Sequence, residues 1–181
     1  MMKWVLAIVM CTAVAYAGQG DRPKVKKVNV GTVDQKSPVT RSEAVAVFTK
    51  ARKAIVAARI AQITTKPSLA PGNQPVTRDE VISEMSKIFA ACKTAVKFVP
   101  NKSKFDPAVF KVGSPAAKAS LTTLVGWGLV APVGPIATGP QPGLSVPQFG
   151  DAIGFFLARI SDVTHMPIPR WSPYLMPNDG E

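Results

Sequence analysis

Residues 39–43 read Val-Thr-Arg-Ser-Glu, and two further copies of this phrase follow, Val-Thr-Arg-Asp-Glu at 76–80 and Leu-Ser-Val-Pro-Gln at 144–148. Each copy places Ser or Thr three positions before Glu or Gln, which is the layout of a capping box at a helix start. The capping residues are Thr40, Glu43, Thr77, Glu80, Ser145 and Gln148. A proline stands just upstream of every box and favours an extended approach to the helix. Three boxes in the same setting predict an internal repeat built from helices.

The first 17 residues have the pattern of a signal peptide. Lys3 supplies a positive charge, residues 4–15 are apolar, and Ala15 and Ala17 are small residues at the two positions that a signal peptidase reads. We therefore expect residues 1–17 to be removed during export, and the mature protein to act in the periplasm, in the cell envelope or at the cell surface. No later apolar run is long enough to predict a membrane helix.

The rest of the chain is predicted to have three parts, a basic extended leader at 18–36, a helical domain at 37–163 and a Pro/aromatic C-terminal strap at 164–181. Apolar periodicity predicts helices from residue 41 to about 62, from the second box to a break at Pro100, and at 114–127 and 146–161. The predicted fold is all-α, a small bundle of helix–loop–helix repeats with long Pro/Gly-rich loops.

Composition narrows the range of partners. The chain carries 22 Lys and Arg against 11 Asp and Glu, a formal net charge of +11. Outside the cytoplasmic membrane, such a charge favours wall polymers, acidic polysaccharides and lipid head groups over nucleic acid; the alternative is that it only keeps the protein soluble. After export only Cys92 is left, so an internal disulfide is excluded, and its place on an apolar stripe predicts a buried thiol.

Residues 105–160 resemble an S-layer homology module. The matching pieces are Phe105-Asp106, Pro115-Ala116-Ala117, the run LTTLVGWGL at 121–129, and the third box. The tetrapeptide typical of that family is matched by TRSE at 40–43 and TRDE at 77–80. The spacing between the boxes is unequal, and the third box has Val146 where the other two have arginine.

This resemblance implies non-covalent attachment to an acidic cell-wall polymer or a peptidoglycan-linked glycan, bound in grooves between repeats. It implies that Arg41 and Arg78 meet the ligand's carboxylates beside a helix N-terminus. The two residues agree with this role, because a cation in the first turn opposes the helix dipole and capping does not explain it. Trp127 is a further candidate, for stacking on a sugar ring, with core packing as the alternative.

Catalysis is not predicted. His165 is the sole histidine, so no histidine-based triad or multi-histidine metal site can form, and no glycine-rich phosphate loop follows a strand. We expect no enzyme activity, no metal and no cofactor. The competing hypothesis is a structural or adaptor protein that docks another envelope protein through the bundle or the Pro-rich tail; adhesion to anionic lipid fits core-facing stripes less well. Arg41 and Arg78 in one groove would favour polymer binding, and both facing apart into solvent would favour the adaptor.

Overall fold

The computed structural model describes residues 37–95, 104–139, 143–166 and 168. These residues contain four α-helices and no strand: α1 at Arg41–Ala57, α2 at Arg78–Ala95, α3 at Pro115–Gly126 and α4 at Val146–Thr164, with a 3₁₀ turn at Pro107–Val109. The predicted all-α class is confirmed for this part of the chain. The predicted signal peptide, the basic leader, the break at Pro100 and most of the C-terminal strap lie outside the described residues.

Helices α1, α2 and α4 begin at the three boxes. In the first box, the Glu43 N–H donates to Thr40 Oγ1 at 3.2 Å, and the Thr40 N–H donates to the Glu43 carboxylate at 2.8 Å. The second box repeats both bonds, at 3.3 and 2.9 Å. In the third, the Ser145 N–H donates to Gln148 Oε1 at 3.0 Å. Each box thereby supplies partners for backbone N–H groups that the first helical turn leaves free.

Helix α1 ends five residues earlier than the periodicity predicts, so the predicted boundary near residue 62 is wrong. The Ile60 N–H donates to the Ile55 carbonyl at 3.1 Å, and Arg59 takes φ of 58°. This is a Schellman ending, in which one residue adopts the left-handed conformation just past the helix. Glycine usually fills that position, and an arginine there gave the sequence no visible stop signal.

One hydrophobic core joins the four helices. The residue before each capping residue is buried, since Val39, Val76 and Leu144 are at most 2% exposed. Phe48 of α1 meets Phe149 of α4 edge to face, with ring centroids 5.8 Å apart. Among the described residues, no helix is long and apolar enough to cross a membrane.

The Cys92 thiol belongs to this core and is fully buried, as its place on the apolar stripe predicts. Burial raises the pKa of the thiol to about 12. Because the thiolate is the reactive form, Cys92 is an inert packing residue at neutral pH.

Candidate functional site

The three segments that lead into the boxes meet one another. Antiparallel bridges pair Pro38 with Ser145, Thr40 with Pro75, and Thr77 with Gly143. Every bridge joins the residue two positions before one capping residue to the capping residue of another box. Exchanging the three boxes cyclically therefore converts each bridge into the next, and we call this arrangement the box ring.

Val39 shows how the box ring is held. Its N–H donates to the Leu144 carbonyl at 2.9 Å, and its carbonyl accepts from the Val76 N–H at 2.8 Å. All three are the apolar residues that precede the capping residues, and they are buried together. The box ring thus gathers the N-termini of α1, α2 and α4, where the helix dipoles favour negative charge. The N–H groups of the first turn of α1 are already bonded, those of Arg41 and Ser42 to the carbonyls of Gln74 and Gly72.

An ion pair joins the first box to the second. Arg41 Nη2 donates to Glu80 Oε1 at 2.6 Å, and the two side chains are 37% and 26% exposed. The other oxygen of the same carboxylate accepts from the Thr77 N–H at 2.9 Å, so Glu80 caps α2 and holds Arg41 at once. Burial alone would raise the pKa of Glu80, but hydrogen bonds from Thr77 and Arg41 outweigh it and leave the pKa below its ordinary value.

A cleft of about 180 Å³ opens beside this pair, between α1, α2 and the loop that joins them. Its lining residues are Arg41, Ser68, Leu69, Ala70, Glu80, Ser83 and Glu84. Arg41 lines this space, and Glu80 holds the Nη2 edge of its guanidinium. The Ser83 hydroxyl and a fixed cation suit an oxyanion of a ligand, and the Glu80 and Glu84 carboxylates repel it from their side of the cleft.

Arg78 has a different environment. It is only 7% exposed, its Nη1 donates to the Pro135 carbonyl at 3.4 Å, and its Nε has no hydrogen-bond partner among the described residues. Burial lowers the pKa of Arg78, and the neighbouring Asp79 partly offsets this. Arg78 therefore links α2 to the loop before α4. It lies outside the Arg41 cleft, and it does not face solvent either.

A second ion pair connects α1 to α2 in the interior. Arg52 Nη2 meets Glu84 Oε2 at 2.9 Å, and the side chains are 5% and 2% exposed. The other oxygen of Glu84 accepts from the Ser68 N–H at 3.1 Å and from Lys87 Nζ at 3.2 Å, and it also contacts the Ser68 hydroxyl. Burial would raise the pKa of Glu84, but the bonds from Ser68, Lys87 and Arg52 bring it below its ordinary value.

Sequence reasoning missed this buried pair. The apolar periodicity of α1 did not indicate that Arg52 is buried against Glu84. A signal was present in α2: Glu84 lies three residues after Val81 and four before Ile88, on the same stripe as these core residues. A carboxylate at a core position predicts a buried cationic partner.

Trp127 lies at the C-terminal end of α3 and is partly buried. Its ring centroid is 5.6 Å from that of Phe89, and Lys93 Nζ is 5.0 Å from the ring. It does not line the Arg41 cleft. The three predicted ligand residues thus occupy three separate environments: a cleft, a buried helix–loop contact and an aromatic cluster.

No known protein family, curated protein or solved structure matches the chain. In the described ranges, no group of three or more His, Cys, Asp or Glu side chains is placed to hold a metal ion. His165 ends α4, where it adopts a left-handed φ of 56° and is exposed.

Proposed function

We propose that this protein is an exported, non-enzymatic binding module of the cell envelope, which attaches to an acidic cell-wall polymer or a peptidoglycan-linked glycan through Arg41. The observation that carries this proposal is the placement of the Arg41 guanidinium. It lies at the N-terminus of α1, lines a cleft, is about one-third exposed, and is held in position by Glu80.

The chemistry of binding follows from that placement. A guanidinium fixed by one carboxylate keeps further N–H donors for a carboxylate or phosphate of the polymer. The N-terminus of α1 adds the favourable end of a helix dipole. Ser83 offers a hydroxyl to the sugar, and the net charge of +11 favours a polyanion at longer range.

The experiment is co-sedimentation of the exported protein with purified wall sacculi, before and after their secondary polymer is stripped. The key variant is Arg41→Gln, compared with Arg59→Gln, which removes the same charge from the exposed end of α1. Measurements at moderate salt discount general charge attraction. We expect about a tenfold loss of affinity for Arg41→Gln alone, the size of one charge-assisted contact of about 1.4 kcal/mol.

Equal binding by both variants would overturn the role of Arg41. Binding that does not depend on the polymer would overturn the proposed ligand. Arg78→Gln is a further comparison. Because Arg78 is buried, we expect any loss of sacculus binding in this variant to match its loss of folded protein.

The adaptor hypothesis stays as the second candidate, in which the bundle or the Pro-rich tail docks another envelope protein. It requires no groove shared by Arg41 and Arg78, and the two arginines share none, because Arg41 lines a cleft and Arg78 is buried outside it. Under this hypothesis, sacculi retain the protein only while their surface proteins are present, and Arg41→Gln has no effect.

A further inference from the structure

Helix α4 and the loop before it form an apolar groove of about 220 Å³. Its walls include Val133, Pro135 and Ile136 of the loop, and Ala152 and Phe155 of α4. Val133 is 67% exposed and Phe155 is 45% exposed, and they are two of the three large apolar side chains that the described residues leave exposed. Apolar side chains exposed side by side around a groove are typical of a surface that another group covers.

The chain itself returns toward this groove after α4. It reverses at His165, whose φ is 56°. Ser161 Oγ then donates to the Met166 carbonyl at 2.9 Å and accepts from the Ile168 N–H at 3.3 Å. Ile168 lines one pocket together with Gly154, which lies about two helical turns before Ser161 on α4. Ile168 therefore lies against α4, the helix whose N-terminal half forms one wall of the groove.

The length of the remaining chain fits the groove. The Ile168 N–H is bonded at Ser161, and from Ser161 to Phe155 in the groove the distance along α4 is roughly 9 Å, six residues at 1.5 Å each. Pro167 and Pro169 favour an extended backbone, which advances about 3.1 Å per residue, so three residues span this distance, and Trp171 is the third residue after Ile168. Gly154 offers a crossing point over α4, because a Cβ there would meet nothing within 4 Å.

The size of the groove and the charge at its rim also match the C-terminal segment. Sites for drug-sized ligands usually measure roughly 300–1,000 Å³, so this groove is better suited to one aromatic side chain. At its rim Asp151 is exposed and has no ion pair among the described residues, and Arg170 directly precedes Trp171. A tryptophan also brings an indole N–H for a polar rim.

We propose that the C-terminal segment crosses α4 and inserts Trp171 into this groove, with Arg170 beside Asp151. The segment then covers Val133 and Phe155 and fastens the loop at 130–139 to α4. This inference is independent of the polymer that the protein binds.

Limited trypsin digestion of the exported chain tests the proposal, by following cleavage after Arg170 through the appearance of the fragment 171–181 in mass spectrometry. Phe155→Ala removes one wall of the groove and leaves the cleavage site unchanged. Val109→Ala is the matched control, because Val109 is 46% exposed and does not line the groove. We expect cleavage about tenfold faster in Phe155→Ala than in wild type or the control, since cleavage follows the population of the undocked segment.

Nuclear Overhauser contacts give a second measurement that does not depend on a groove variant. We expect cross-peaks between the Trp171 indole and the methyl groups of Val133 and Met85, and their loss in Trp171→Ala, while Tyr174→Ala keeps them. Equal cleavage rates in all three proteins, or absent cross-peaks in wild type, would overturn the proposal. Cross-peaks seen only between differently labelled molecules would also overturn it, in favour of a second copy as the occupant.

Discussion

The junction between the first and second boxes differs from the junction between the second and third, although the two arginines have the same place in the motif. At the first junction Arg41 meets the Glu80 carboxylate at 2.6 Å. Cyclic exchange of the boxes would pair Arg78 with residue 148, which is glutamine. Arg78 instead donates to the Pro135 carbonyl at 3.4 Å, and the Nε atoms of both arginines have no partner among the described residues. The two arginines thus differ in partner and in burial, since Arg41 is 37% exposed in its ion pair and Arg78 is 7% exposed.

The difference is also one of energy. A carboxylate partner compensates the desolvation of a guanidinium, whereas one long bond to a carbonyl compensates little of it. The first junction has a further ion pair in its interior, Arg52 with Glu84, and both partners are almost fully buried. We therefore infer that polar contacts stabilise the first junction, and that apolar packing stabilises the second.

The largest expected effect comes from breaking the interior pair. Glu84→Gln leaves the Arg52 charge buried without a counter-charge, which costs about 3–5 kcal/mol of unfolding free energy. Urea denaturation followed by circular dichroism measures this loss. Asp162→Asn is the matched control, because that carboxylate is 61% exposed in its pair with Arg159 and the expected cost is below about 1 kcal/mol. Equal losses of unfolding free energy in the two variants would show that the buried pair contributes no more to stability than the exposed pair.

Acid should weaken the first junction. The pKa values of Glu80 and Glu84 lie below their ordinary value. The stability that these carboxylates contribute is present above the unfolded-state pKa of about 4.3 and is lost as the pH falls through the folded-state values. We expect the unfolding free energy of wild type to fall below about pH 4, and to fall less steeply in Glu84→Gln. Parallel pH profiles for the two proteins would contradict the assignment.

At the second junction, a buried arginine without a carboxylate should be replaceable. Arg78→Met keeps most of the side-chain volume and removes the desolvated charge, so we expect stability within about 1 kcal/mol of wild type, or higher. Thermal unfolding checks this. A loss as large as that of Glu84→Gln would mean that Arg78 has a strong partner at this junction.

The sequence contained enough information for the helices, because boxes, periodicity and Pro/Gly loops are local signals. The residue at which α1 ends could not be predicted from the sequence, because Arg59 takes a conformation that usually requires glycine. The sequence also did not reveal the box ring or the Arg41–Glu80 pair, whose members are 39 residues apart. Such pairings depend on how the segments meet in the fold. Arg41 lines a cleft, as expected of a ligand residue. The burial of Arg78 could not be predicted, because both arginines occupy the same position in their boxes.

A gain should be possible at the second junction. Residue 148 is the position in the third box that corresponds to Glu80 in the second. Gln148→Glu would place a carboxylate there for Arg78, so we expect it to stabilise the fold by about 0.2–1 kcal/mol. The gain should disappear in an Arg78→Met background. Chemical denaturation of the four proteins measures it, and a gain that persists without Arg78 would assign the effect to the helix dipole alone.

The most direct test of the account is a pair of double-mutant cycles, Arg41→Gln with Glu80→Gln at the first junction and Arg78→Gln with Gln148→Ala at the second. Because the cycle removes the separate contribution of Glu80 to capping, it isolates the pairwise coupling. The account predicts a coupling of about 0.5–1 kcal/mol for the partly exposed first pair and none for the second. Equal couplings at both junctions, or none at the first, would contradict it.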